Sequence, residues 1–216
     1  TSTAILALVA THSANYATII ENAKNWLVKA QQDETFGYTP ANYQYGGWTY
    51  WSGKGDPDLS NTQFALLALD AANLPKTDPT WSKAIIFTQR CQNRPASNDQ
   101  AWAHDSTRPS YNDGGFIYRP WGWSLAGGTL SYGSMTGAGI WGLLLSGVPK
   151  TDERVVAAIN WVVNHYTCDT NPGIGWWRMY YYYLSISKAL TMYGEPMIDG
   201  HDWYQDLYNK IVGMQI

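Results

Sequence analysis

The chain has 216 residues and a formal net charge of −3, with 14 lysines and arginines scattered along it and no basic patch; no nucleic-acid partner is expected from that pattern. Its longest strongly apolar run, near GAGIWGLLL, is too short to span a bilayer as a helix, so no transmembrane segment is expected. Charged residues make up only 14%, while 12 tryptophans and 16 tyrosines dominate an aromatic content of 15%, a balance suited to deep cores or an aromatic-lined pocket.

In chain order, an apolar helix is expected near 1–11 and an amphipathic one near 17–31, followed by the glycine-rich aromatic loop YGGWTYW. The string GDPDLS, with Asp56 and Asp58, has the proline and glycine of a turn. A second apolar helix near 60–73 leads through KTDPTW to an amphipathic one near 79–92, with Pro79 tolerated in its first turn and Thr77 or Asp78 as cap. The loop that follows holds AWAHDST, where His104 neighbours Asp105, and DGGFIYRP, with Asp113 and Arg119. A third pair is expected near 131–146 and 152–166, capped by Thr151 or Asp152, and the loop GIGWW then leads to a fourth pair near 178–193 and 202–215. No interval reads as a strand.

The fourth apolar helix opens on the run Tyr180 to Tyr183. Successive helical residues point about 100° apart, so the four rings cover the whole circumference. Tyr180 and Tyr183 share one broad face with Ser187 a turn farther on, while Tyr181 and Tyr182 point elsewhere. Some of these rings wedge between helices and others line a concave surface; Arg178, at the start of the helix, is placed either for a structural contact or to bind an anion.

An internal repeat organises these elements. AKNWLVKAQQ, AIIFTQRCQN and AINWVVNHYT each set an alanine three residues before an aromatic, at Trp26, Phe87 and Trp161. A gapless shift of 61 carries Ala4, Leu6 and Leu8 onto Ala65, Leu67 and Leu69, and the string PKTD recurs at Pro75 and Pro149. Stacked helical hairpins, one helix of each pair buried and the other exposed, are the expected architecture.

This pattern resembles the α/α-toroid superfamily of squalene and hopene cyclases, oxidosqualene cyclases and protein prenyltransferase β-subunits. It is most similar to the bacterial prenyltransferase and squalene-oxidase repeat proteins. The repeat of that family is matched by Trp26, Gln31 and the GGW ending at Trp48, and again by Phe87, Gln92 and the GGF ending at Phe116. The third copy keeps Trp161, Gly175 and Trp176 but has Tyr166 where glutamine is expected; the fourth has Lys210 at the aromatic position and keeps Gln215. The resemblance implies an all-α toroid or open arc of about four hairpins, with inner and outer helix layers, over a single repeat domain spanning 1–216. The repeat glutamines and aromatics are expected to be structural, tying helix ends to neighbouring backbone and filling the joints.

The family's chemistry is mostly missing. No Asp-x-Asp-Asp string is present, and Ser131 and Gly133 stand where the prenyltransferase zinc element would place Asp and Cys. Only Cys91, Cys168 and four histidines could supply soft ligands, so neither a metal nor a cofactor is expected. The leading functional expectation is therefore a non-catalytic repeat domain for binding or assembly. The alternatives are a terpenoid-cyclase-like enzyme completed by further segments and a polysaccharide-active toroid. Candidate ligand contacts are Arg178, Tyr180, Tyr183 and Trp176, with His104, Asp113 and Arg119 as loop candidates, for an apolar, isoprenoid or glycan ligand.

Thr1 aligns with Thr62, already at the start of a repeat helix. The expectation is therefore an open arc or an excised fragment of a larger toroid or multidomain protein, whose end helices promote self-association or contact with other parts of the parent protein. Cys91 and Cys168 approach equivalent ends of neighbouring outer helices. A disulfide needs their α-carbons within roughly 7 Å, which a helix spacing of roughly 8–10 Å barely permits. A bridge, with an extracytoplasmic location, and two free thiols both fit the count.

Overall fold

Four carboxylates start four of the helices. In the computed structural model, Asp58, Asp78, Asp152 and Asp202 accept hydrogen bonds from the first-turn amides of Asn61, Thr80, Arg154 and Gln205, satisfying donors that a helix start leaves without partners. Residues 1–215 are described; Ile216, the last position of the expected 1–216 span, lies outside them. Among the described residues there are eight α-helices: α1 (Ser2–Ala10), α2 (Ala17–Lys29), α3 (Leu59–Ala71), α4 (Pro79–Gln89), α5 (Gly133–Leu145), α6 (Glu153–Asn164), α7 (Met179–Tyr193) and α8 (Trp203–Gly213). They fall within a few residues of the eight expected from the sequence. Short 3₁₀ turns and isolated bridges fill the connections, with no strand among the described residues. None of these helices is long and apolar enough to cross a membrane.

The odd-numbered helices pack side by side in the order α1, α3, α5, α7. Against them lie the even-numbered ones: α2 on α1 and α3, α4 on α3 and α5, α6 on α5, and α8 on α7. Every residue of α5 except Leu144 is buried, which explains the apolar GAGIWGLLL. Its glycines admit close neighbours: a β-carbon on Gly137 would lie 2.9 Å from the Ile186 amide of α7. Gly133 sits beside Tyr182 and Gly137 beside Ser185, so α5 and α7 run parallel with their N-termini at one end.

The repeat residues form matching joints. Gln31 Nε2 donates to the carbonyls of Gly46 (2.9 Å) and Thr80 (3.0 Å), and Gln92 Nε2 to those of Gly114 (2.9 Å) and Arg154 (2.8 Å). Each amide thus joins a helix end, a Gly-Gly loop and the first turn of the next even-numbered helix. The first glycine of each loop takes positive φ and presses on that helix. A β-carbon would fall 1.9 Å from the Lys83 carbonyl oxygen at Gly46, and 2.4 Å from that of Ala157 at Gly114. Phe87 and Trp161 pack against Gly47 and Gly115, while Trp48 and Phe116 donate their amides to the hydroxyls of Thr62 and Thr136.

Four members of the pattern depart from it. Trp26 is 44% exposed, because the two Gly-Gly loops of this chain cover α4 and α6, not α2. Tyr166 reaches α8 through its hydroxyl, donating to Asp206 Oδ2 at 2.9 Å. The GIGWW loop is fastened to α5 by Asn171, which accepts from the Ser134 amide at 2.9 Å; Trp176 is left facing outward instead of filling a joint. Gln215 is exposed.

A charged cluster secures the first joint. Lys83 Nζ lies 2.8 Å from Asp33 Oδ2 and 2.7 Å from Glu34 Oε2, and Tyr45 donates to Glu34 at 2.7 Å. The hydrogen bond from Lys83, then that from Tyr45, lowers the Glu34 carboxyl to about 2. A carboxyl held below its unfolded value adds stability that is complete above the ordinary glutamate range and is lost as pH falls toward 2. The melting temperature is accordingly expected to drop between about pH 4.5 and pH 2. Glu34→Gln should flatten that part of the profile; an unchanged slope in the variant would remove Glu34 as a source.

Candidate functional site

The N-terminal ends of α3, α5 and α7 open onto one cleft of about 380 Å³. Helix α3 contributes Ser60 and Phe64, α5 contributes Ser134 and Met135 with Tyr132 just before it, and α7 contributes Tyr181 with Arg178 at its start. The loops between helices supply the remainder. Tyr50 comes from the segment after the first Gly-Gly joint, and Tyr118, Trp123 and Leu125 from the segment after the second. The lining is thus two glycine joints' aromatic extensions laid over three helix starts.

Rings order the walls. Phe64 and Tyr181 stack with centroids 6.1 Å apart, and Tyr118 meets Trp123 edge-on at 5.6 Å. The hydroxyls of Tyr50 and Tyr118 lie 2.9 Å apart, and Tyr181 donates to Gln63 Oε1 at 3.2 Å. Burial pushes the phenols of Tyr118, Tyr132 and Tyr181 well up from their ordinary value, so they remain neutral hydrogen-bonding groups. Two buried atoms lack partners here. The Tyr132 hydroxyl, on a side chain 1% exposed, and Gln63 Nε2, on one fully buried, find no hydrogen bond among the described residues.

Arg178 is the one charged side chain lining the cleft among the described residues. It is exposed, occupies the N-cap of α7 with φ 59°, and its guanidinium makes no hydrogen bond or ion pair among those residues. Asp58 lies close behind, but its carboxylate accepts from Ser60, Asn61 N and Asn61 Nδ2 at 2.7–2.9 Å, so it is spent on capping α3, as a turn residue should be. The arrangement can enclose an apolar body and offer hydroxyls and one cation.

Of the ligand contacts expected on α7, only Arg178 lines the cleft. Tyr180 is 78% exposed and Tyr183 is 4% exposed with its hydroxyl donated to the Cys168 carbonyl at 2.8 Å. Trp176 lies outside, its ring 5.9 Å from Lys210 Nζ. The tyrosine that enters is Tyr181, which the helical face count had pointed elsewhere. Asp113 is a joint residue: it accepts from the Gly115 amide (2.9 Å), Ser131 Oγ (2.8 Å) and Trp161 Nε1 (3.3 Å), and burial raises its carboxyl. His104 Nε2 bonds the Asn98 carbonyl oxygen at 2.8 Å. The Arg119 guanidinium lies 5.6, 4.8 and 5.4 Å from the ring centroids of Tyr118, Trp121 and Trp123, beside two of the rings that line the cleft.

The Cys91–Cys168 bridge is not formed; both thiols are free. Cys91 is wholly buried at the end of α4, its carbonyl held by the Ile117 amide at 2.9 Å, whereas Cys168 is drawn toward α7 and α8, its carbonyl receiving Tyr183 and its sulfur 3.8 Å from the Tyr166 hydroxyl. Burial raises both thiols, that of Cys91 strongly. No group of three or more His, Cys, Asp and Glu placed to hold a metal ion occurs among the described residues.

Tyr50, Tyr118, Trp123 and Tyr132 were not singled out from the sequence as ligand contacts. Their signal is the aromatic density that continues past each Gly-Gly pair, in YGGWTYW and DGGFIYRPWGW. No family model matches the chain, and no curated protein or solved structure matches it either.

Proposed function

We propose that this chain is a binding domain of the helical-repeat type, an open arc of four α/α hairpins with the odd-numbered helices inside, and that the cleft is its ligand site. The observation that carries this reading is the convergence of six aromatic rings, from Tyr50, Phe64, Tyr118, Trp123, Tyr132 and Tyr181, on one concave space of about 380 Å³. Pockets of this size with mostly apolar walls and a few placed polar groups are the usual form of small-molecule sites. Binding is favoured over catalysis because the polar lining consists of neutral hydroxyls and one guanidinium, with Asp58 already committed to its helix cap. General acid–base work needs a titrating group within reach of the reacting proton.

Equilibrium binding to a panel of isoprenoids and neutral glycans, measured by titration calorimetry, tests the site. Tyr181→Ala should weaken any ligand found by about tenfold or more, the loss of a buried aromatic contact. Tyr180→Ala, outside the cleft, should leave affinity unchanged. Equal loss in both variants, with helical content intact by circular dichroism, would place the ligand elsewhere.

A further inference from the structure

We propose that the cleft takes a singly charged carboxylate amphiphile, its head group held at the start of α7 by Arg178 and the Tyr132 hydroxyl and its apolar body laid along the rings. The inference rests on the cleft being the ligand site. It starts from a contrast among helix starts. Helices α3, α4, α6 and α8 each receive an aspartate carboxylate on a first-turn amide, whereas α7, like α1, α2 and α5, has no side-chain cap among the described residues. In its place stands Arg178, a cation at the positive end of a helix dipole, which is locally unfavourable. Its left-handed backbone adds a further cost. An anion seated between that guanidinium and the first-turn amides of α7 would offset the electrostatic cost.

The independent observation is Tyr132. Tyr132 lines the same cleft, and its hydroxyl, almost wholly buried, has no partner among the described residues. A buried polar group left without a hydrogen bond costs about 1–3 kcal/mol, and a ligand oxygen would recover it. Because α5 and α7 run parallel and in contact, Tyr132 and Arg178, the N-caps of the two helices, lie at the same end and open on the same space. The charge of the head group follows from the surroundings. Among the described residues one cation lines the cleft, and the Asp58 carboxylate lies near enough to act on the Tyr118, Tyr132 and Tyr181 phenols. A doubly charged head would meet that carboxylate's repulsion twice over. Phe64, Trp123, Leu125 and Met135 supply the apolar wall for the body.

The test compares decanoate, 1-decanol and decyltrimethylammonium with the full chain by titration calorimetry below their micellar concentrations. Decanoate is expected to bind about tenfold or more tightly than decanol, the scale of one charge-assisted hydrogen-bonded contact. Arg178→Gln should erase that preference while leaving decanol binding unchanged, and Arg178→Lys should restore part of it. Tyr132→Phe should weaken decanoate about fivefold or more, although removing an orphan hydroxyl would be neutral or stabilising for the fold alone. Equal affinity for decanoate and decanol, preference for the trimethylammonium head, or full decanoate affinity in either Arg178→Gln or Tyr132→Phe would overturn the head-group assignment while leaving the cleft as a site. If none of the three binds, the head-group assignment and the cleft reading for apolar-bodied ligands both fall.

Discussion

Gly46→Ala is expected to cost roughly 3–5 kcal/mol of folding stability, a large share of what a domain of this size possesses. Two effects act together. The residue sits at φ 92°, where an L side chain is strained, and its new β-carbon would fall 1.9 Å from the Lys83 carbonyl oxygen and 2.5 Å from the carbonyl carbon. Neither atom can rotate away, because both belong to the backbone of α4. Gly37→Ala is the matched control: φ is 75° there, but nothing lies within 4 Å of the added carbon, so only the backbone term of about 1–2 kcal/mol applies. Urea denaturation of the two variants measures the difference. Equal midpoints would mean that the loop lifts off α4 at little cost, and the joint would not be the rigid contact described above.

Gln92→Met should lower stability by about 2–4 kcal/mol. The side chain keeps its length and apolar body but loses the amide that donates to the carbonyls of Gly114 at 2.9 Å and Arg154 at 2.8 Å. Because the site is fully buried, water does not replace the lost donor freely. Gln31→Met at the first joint should cost a similar amount, since its amide makes the equivalent pair of bonds. Tyr166→Phe at the third joint should cost about 1 kcal/mol or less, because it removes one hydroxyl whose partner Asp206 stays open to solvent. A Gln92→Met midpoint equal to that of the parent chain would reduce the repeat glutamine to a space-filling residue.

The eight helices and two of their joints were legible in the sequence because they rest on short-range rules. Apolar spacing, Asp78 before Pro79, Asp152 before Glu153 and the recurrence of an aromatic with Gln31 or Gln92 all act within a turn or two of the chain. The Gly-Gly pairs were legible for the same reason: two residues lacking a β-carbon announce a close approach, even before the approaching helix is known. Less of the candidate site could be read. The place of Arg178 at a helix start and the aromatic richness of the loops are visible in the sequence, but helical spacing points to Tyr180 and Tyr183 and not to Tyr181.

Which tyrosine of four successive ones enters a cleft depends on the rotation of α7 about its axis, and that rotation is decided by neighbours distant in sequence. Gly137 lets α5 press on Ser185 and Ile186, while the Thr167 and Cys168 carbonyls capture the hydroxyls of Tyr182 and Tyr183. With those two rings held, Tyr181 is left to stack on Phe64 and Tyr180 faces outward. The same long-range packing buries Cys91 beneath the second glycine joint while the α6–α7 connection carries Cys168 toward α8, and brings Tyr50, Tyr118 and Trp123 together from two separate loops. Local periodicity and capping therefore determined the helices and their order. The cleft, its orphan hydroxyl and its single cation were decided by side chains meeting across the helices, an arrangement that no spacing within one segment encodes.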